Sequence, residues 1–377
     1  MDRSLEIALL QELHGLKDSG QFFLDDEVHP SPVQRYACAD RFDAENTAIF
    51  QKLPQIAAHS SELAEPGSYL TMTLAGKPVL LTRDRDGEVN AFLNVCRHRG
   101  ARLVGEASGC KHAFSCPYHA WTWSNKGELR GIPHEKPGFP GIDRASYGLR
   151  RLPAHEAMGF VWVVADPEAT PDFDMFLAPL AKEFDWCGTA DMAIAHSDTM
   201  VRQANWKLLM EGGIEAYHFK VAHRDTIGPH FLDNLSSYQM LGDHMRSVLP
   251  RSSLPQIADV PQEQWSIRDH ANLLYTVFPT SQFLLMQDHL AWLCFRPLAC
   301  DRTELRMVTL APKSEITPEN AAHWARNHKI TEVTLDEDFV INEAVQSGLN
   351  SGTNEALTFG RYEGALHKFN TVVEARL

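Results

Sequence analysis

Cys96 and His98 stand as a C-x-H pair in the stretch AFLNVCRHRGARLVGEASGCKHAFSCPYHAWTW, and Cys116 and His119 follow as a C-x-x-H pair. Two thiols and two imidazoles at such spacing are metal donors only if two loops meet at one point. No other feature constrains the fold of this chain as strongly. The runs flanking the pairs also suit a meeting of loops. SYLTMTLAGKPVLLTRDRDGEVNAFLNVC alternates β-prone segments with the turn signals AGK and DRDGE, which predicts an antiparallel meander.

Four donors of this kind suit zinc or an iron–sulfur centre. Structural zinc sites commonly group cysteines in one knuckle and histidines in the other. Here each knuckle carries one of each. A two-iron centre of mixed ligation puts two thiolates on one iron and two imidazoles on the other. Each loop then supplies one ligand to each metal, and the observed alternation does this without crossing the chain. Imidazole in place of thiolate leaves such a cluster less negative and raises its potential. A zinc knuckle is the alternative. Cys38, Cys110, Cys187, Cys294 and Cys300 lack comparable company; only Cys110 has a histidine, His112, close by.

Seven cysteines in 377 residues are too few for a disulfide scaffold, and the odd count fits a reducing compartment. The formal charge of -14 repels nucleic acid and anionic membrane, so neither is expected as a partner. The start MDRSLEIALLQELHGL carries Asp2 and Glu6 and lacks a long apolar core, unlike a secretory signal. The longest apolar stretches are too short to span a bilayer. The expected location is cytoplasmic.

Helix-compatible spacing covers residues 2–17 and 43–57, and the β-rich region ends over residues 146–169, which places a domain boundary near 165. Beyond it, residues 186–203 read as strand, 205–223 as mostly helix and 270–310 as a run of strands. Residues 317–347 read as helix, with Thr317 as N-cap and proline in the first turn.

The segment NWKLLMEGGIEAYHFKVAH contains Glu215, His218 and His223. Two histidines and one carboxylate, with positions left open, form the facial triad of mononuclear ferrous sites that activate dioxygen. Glu215 and His218 are three apart and share a helix face, whereas His223 requires the helix to bend or end between the histidines. Surface polar groups are the plain alternative for such a trio.

C-R-H-R-G followed by C-P-Y-H-A-W resembles the signature of the Rieske non-haem iron oxygenases, large (alpha) subunit. The resemblance implies a [2Fe-2S] cluster with Cys96 and Cys116 on one iron and His98 and His119 on the other. The segment around His218 resembles that family's E-x-x-x-E/D-x-Y-H-x-x-x-x-H motif, which makes His218 and His223 ligands of a mononuclear Fe(2+). TLDEDFVINEAVQSGL resembles the family's downstream aspartate segment and implies Asp338 as third ligand, with Asp336 as fallback. Glu215 then becomes a bridge that carries electrons between subunits, linking His218 to His98 of a neighbour in a head-to-tail homotrimer. The implied fold is α+β: a small antiparallel β Rieske domain and a helix-grip-like catalytic domain, a curved antiparallel sheet around helices. On this reading 1–44 is a helical lead-in packing on the catalytic domain, 45–165 the Rieske domain and 166–377 the catalytic domain.

The resemblance implies use of O2 and of electrons from a separate NAD(P)H-dependent reductase, directly or through a ferredoxin. No G-x-G-x-x-G follows a strand, so no nicotinamide domain is expected within the chain. Glu215, where ring-hydroxylating relatives have Asp, resembles the branch that oxidises choline, carnitine and glycine betaine, although Gly212 stands where that branch commonly has Asn. The expected activity is monooxygenation or N-demethylation of a small quaternary or tertiary ammonium compound. Aromatic ring hydroxylation is the alternative within the family. A non-catalytic Rieske electron carrier or a zinc-binding interaction protein is the alternative outside it.

Overall fold

The strand Lys77–Arg83 shows how the apolar runs become structure. Its Val79 and Leu81 point into one buried cluster and its Leu80 into another, as the two-residue period of a strand requires. A strand buried on both faces has no polar alternation, which is why PVLL reads as one continuous run. The computed structural model describes all residues, 1–377, and the chain divides into two compact units.

The first unit is Phe50–Phe173. It holds three small antiparallel sheets. The largest runs in the order Arg151–Leu152, Val89–Leu93, Lys77–Arg83, Ser68–Leu74, Ser108–Cys110. A second joins Ala154–Ala157, Phe160–Val163 and Gln55–His59, and a third joins Ala113–Ser115, Thr122–Ser124 and Leu129–Gly131. One hydrophobic cluster includes Phe92, Phe114, Trp121 and Trp123 together with both Cys96 and Cys116. The buried Trp123 indole donates to the Tyr147 carbonyl at 2.8 Å, so its burial leaves no polar group unmet.

The second unit comprises Met1–Ile49 and Asp174–Leu377. Its centre is a seven-stranded antiparallel sheet in the order Met192–Arg202, Arg302–Pro312, Leu290–Ala299, Ser281–Leu285, Ala271–Val277, His244–Pro250, Ser237–Leu241. Trp206–Ile214 and the 30-residue helix Ala321–Asn350 contact each other and this sheet. Gly212 and Gly213 permit the close approach. A Cβ at 212 would lie 3.2 Å from the Asn342 amide, and one at 213 would lie 3.1 Å from the Gln282 amide oxygen. The Gln282 amide in turn donates to the Met210 carbonyl at 2.8 Å.

The N-terminal segment docks within this unit. Leu10 and Leu13 of the helix Arg3–Ser19 are fully buried, each contributing roughly 1.5–3 kcal/mol. His29–Pro32 pairs antiparallel with Ala356–Phe359; its two prolines are compatible with an edge position, where no ladder donor is needed. Lys207 Nζ meets Glu45 Oε1 at 2.6 Å with both side chains fully buried, and the Trp206 indole donates to Glu45 Oε2 at 2.8 Å. Burial pulls the Lys207 ammonium below its ordinary range, against the raising effect of Glu45. Glu211 accepts hydrogen bonds from Tyr36 at 2.9 Å and Asn370 at 2.7 Å, joining the lead-in to the C-terminal helix Gly364–Glu374.

The α+β class and the pairing of a small antiparallel unit with a larger mixed one agree with expectation. Three local readings need correction. Helical structure ends at Phe50, and Gln55–His59 is a strand, because Pro54 breaks the run and every residue after it in that strand is buried. The long helix begins at Ala321 after Asn320; the Thr317 hydroxyl instead accepts the Asn320 N–H at 3.4 Å, one turn ahead of the helix. Trp186 and Cys187 belong to the helix Phe173–Cys187, so the strand begins only at Met192. No helix is long and apolar enough to cross a membrane.

Candidate metal centres

Two loops of the first unit repeat one hydrogen-bond pattern. In the first, the Cys96 N–H donates to the Ala101 carbonyl at 2.8 Å and the Gly100 N–H to the Cys96 carbonyl at 3.0 Å. In the second, the Cys116 N–H donates to the Trp121 carbonyl at 2.8 Å and the Ala120 N–H to the Cys116 carbonyl at 2.9 Å. The fifth residue of each loop is left-handed, with φ of 77° at Gly100 and 56° at Ala120. The turn lets each cysteine point inward while its histidine reaches the same region from the next two or three residues.

The rings of His98 and His119 lie 4.7 Å apart, and His98 stacks on Trp121 at 4.8 Å with an interplanar angle of 4°. Nδ1 of both rings is buried and has no hydrogen-bond partner. An unmet buried ring nitrogen costs about 1–3 kcal/mol, and two of them, in a unit that also buries the thiols of Cys96 and Cys116, fit a group that takes two imidazoles and two thiolates. Burial and the neighbouring His119 hold His98 below the ordinary imidazole range, the neutral form that a metal ligand needs. Burial pushes the Cys96 thiol up, while the backbone N–H groups of His98 and Arg99 act the other way.

The second unit brings His218, His223 and Asp338 together. His218 Nε2 and His223 Nε2 are 3.2 Å apart, and Asp338 Oδ1 lies 3.4 Å from the first and 3.0 Å from the second. A metal about 2.1 Å from each of three donors on one octahedral face spaces them about 3.0 Å apart, so the trio fits such an ion. The helix Trp206–Ile214 ends in extended backbone at Glu215, and His218 and His223 then flank the single turn Phe219–Ala222. The break therefore falls before His218, not between the histidines as their spacing suggests.

Both imidazoles are held from behind. His218 Nδ1 bonds Glu215 Oε1, and the other Glu215 oxygen accepts the Tyr217 N–H. His223 Nδ1 meets Glu337 Oε2 at 2.7 Å, and the same oxygen accepts from the Thr226 hydroxyl at 2.7 Å. A carboxylate on Nδ1 fixes the ring and leaves Nε2 free for a metal. Burial alone would lower His218, but Asp338 and Glu215 overcome it and raise the group to about 10.

Glu215 thus stands behind His218 and not at the Nε2 corner, where Asp338 stands. Asp336 pairs with Arg202 instead. Glu337 and Thr226 escaped the sequence reading. Three consecutive acids, Asp336, Glu337 and Asp338, project about 100° apart on a helix and reach three different partners. Their adjacency was visible in the sequence, but which of them faced which partner was not.

A cavity of about 70 Å³ lies against His223 and Asp338, lined chiefly by Leu249, Leu274, Leu284, Leu293, Phe219 and Phe339. Tyr275, Phe278, Phe283, Trp292 and Phe295, on or beside the strands of the large sheet, are buried in the core of the unit.

Two family models match the chain. Residues 54–153 match the Rieske [2Fe-2S] domain, and residues 189–377 match the ring hydroxylating alpha subunit (catalytic domain). The chain belongs to the Rieske non-haem iron oxygenases, large-subunit family. It is similar to the toluate 1,2-dioxygenase alpha subunit of Pseudomonas putida, with 30% identity over 322 residues, 74% of this chain and 69% of the relative. It is 32% identical to the carnitine monooxygenase oxygenase subunit of Acinetobacter baumannii over 208 residues, 54% of each chain. It is also 32% identical to the anthranilate 1,2-dioxygenase large subunit of Acinetobacter baylyi, over 54% of this chain and 44% of the relative. The chain thus spans about half the length of most curated relatives it matches.

Among solved structures, the quaternary ammonium Rieske monooxygenase CntA in complex with L-carnitine superimposes with a TM-score of 0.78 at 23% identity, over 94% of this chain and 98% of that one. Naphthalene 1,2-dioxygenase from Rhodococcus sp. bound to indole gives 0.77 at 20% identity, over 98% of both. These two likenesses are likenesses of fold. This Rieske chain accordingly carries a [2Fe-2S] domain and a mononuclear non-haem iron site of the His/His/Asp kind.

Proposed function

We propose that this chain is the terminal oxygenase component of an O2-dependent system that oxidises a small organic substrate. The carrying observation is the convergence of His218, His223 and Asp338 on one point beside an apolar cavity, with carboxylates behind both rings. Cys96, His98, Cys116 and His119 would hold the cluster, and the trio would hold ferrous iron. Iron in such a triad supplies reductive activation of O2 with coordination positions to spare. The chain's own part is to orient both imidazoles, exclude water with leucine side chains and keep the substrate beside Asp338. Residues 45–165 would serve as the Rieske domain and 166–377 as the catalytic one, with 1–44 packed on the latter.

Electrons would come from a separate NAD(P)H-dependent reductase, directly or through a ferredoxin. His98 and His119 are only half-buried, which suits transfer out of the cluster. Glu215, itself bonded to His218, lies beside the exposed Tyr217 and suits a bridge to His98 of the next subunit in a head-to-tail homotrimer.

The proposed reaction is oxidation of a carbon beside a quaternary or tertiary nitrogen. Glu215 at the bridging position supports it, as do relatives named for carnitine and glycine betaine. The aliphatic lining of the cavity favours a second reading, an aromatic or other apolar substrate, and relatives named for toluate and anthranilate accompany it. Reductase-coupled O2 uptake with product identification separates the two. An aldehyde released from a methylated amine supports the first; a cis-dihydrodiol or phenol, with every amine inert, replaces it with the second.

A further inference from the structure

A second cluster of metal-binding side chains lies away from the triad, where the edge strand Met192–Arg202 meets the long helix Ala321–Asn350. A register shift between Ile194 and His196 sets the strand so that His196 pairs with Thr309, and Asp198, two residues on, shares the face of His196. His328 descends onto that face from the helix. Its Nε2 lies 3.1 Å from Asp198 Oδ2, and His196 Nε2 lies 3.6 Å from the same oxygen. The donor atoms of all three residues lie within 4.8 Å of one another.

We propose that His196, Asp198 and His328 bind a divalent ion of the zinc class, with water as fourth ligand. A tetrahedral ion with bonds of about 2.0–2.1 Å holds its donors about 3.3–3.4 Å apart. The two donor separations to Asp198 straddle that value. Thr309, buried on the neighbouring strand, meets His328 Nδ1 at 2.8 Å. This hydroxyl plays the part of the outer partner that orients a ligand ring and leaves Nε2 toward the ion. His196 and Asp198 are exposed, so an ion and its water have access. The site shares no donor with the triad, because Asp338 lies ten residues further along the helix, about 15 Å at 1.5 Å per residue. Occupancy would pin to the sheet edge the helix that carries Asp338.

The test uses the full-length, iron-loaded chain, titrated with Zn(II) against a chromophoric chelator and followed by thermal denaturation. Wild type is expected to take up one zinc more than His196→Ala and to gain thermal stability that His196→Ala does not. Thr309→Val, which loses only the orienting hydroxyl, should weaken uptake about 10–100-fold. A His223→Ala chain, with the triad broken, should keep the extra zinc. Equal uptake by wild type and His196→Ala overturns the proposal; so does loss of all uptake with His223→Ala when its circular dichroism remains native. The exposed position of His196 makes misfolding of its variant a poor explanation for lost zinc.

Discussion

Gly100 and Ala120 occupy the same place in two loops that share one hydrogen-bond pattern, each four residues beyond a cysteine and each left-handed. One loop meets that backbone demand with glycine; the other meets it with a residue that resists it. A Cβ at Gly100 would touch nothing within 4 Å, so space is not what selects glycine there. Conformation is.

Gly100→Ala should therefore destabilise the cluster-bearing unit by about 1–2 kcal/mol, the cost of left-handed backbone for an L-residue. Ala120→Gly should be neutral or mildly stabilising, since relief of that cost is offset by the greater freedom of glycine in the unfolded chain. The urea midpoint for bleaching of the oxidised cluster's visible absorbance measures both.

Glu45→Ala should leave Lys207 charged and buried without its partner. Breaking a buried pair in this way costs about 3–5 kcal/mol. Denaturant unfolding, followed by tryptophan fluorescence because Trp206 loses its acceptor too, should register the loss.

Glu337→Gln should lower iron affinity about 10–100-fold while leaving the cluster loaded, because the carboxylate sets the His223 ring and does not touch the metal donors. Iron content under chelator challenge, beside the cluster's unchanged spectrum, is the measurement.

Glu215→Gln should weaken iron as Glu337→Gln does and, assayed with both metals fully loaded, should still slow product formation by roughly 10–100-fold, because the proposed bridge is lost along with the carboxylate on His218. Unchanged turnover would end the bridging role. Stopped-flow oxidation of the reduced cluster in the presence of substrate separates slow transfer from slow substrate binding.

Burial pushes Glu211 up to about 7. The folded state then holds a proton that the unfolded state, near 4.5, releases first. Stability from this group is present below pH 4.5 and is lost as pH rises through 7, by up to roughly 3 kcal/mol. Glu211→Gln should flatten the slope of unfolding free energy between pH 4.5 and 7.

The cysteine–histidine pairs, the meander around them and the strand run at 270–310 were legible because local chemistry and two-residue periodicity both announce them. Other features depended on neighbours that the sequence leaves unpaired. Gln55–His59 is buried at every position, so it lacks the alternation that marks a strand. The end of the helix at Glu215 carries no proline, and the glycines that precede it serve close packing instead. Asp336, Glu337 and Asp338 are adjacent acids, and only the packed helix decides that one meets Arg202, one His223 and one the triad. The pairing of His29–Pro32 with Ala356–Phe359 joins segments from opposite ends of the chain, beyond the reach of any local pattern.

That last pairing also sets an order of events during synthesis. Phe50–Phe173 is continuous in sequence, so all its strands are present once it has left the ribosome. The unit that encloses the triad has no such independence. Its lead-in emerges first yet has no partner strand until Ala356–Phe359 is translated, and its Met192–Arg202 strand waits for Arg302–Pro312. Closing such long loops late is slow and leaves apolar helices waiting in water. The nascent chain can thus mature its cluster site early, while the iron pocket is assembled among the last acts of folding.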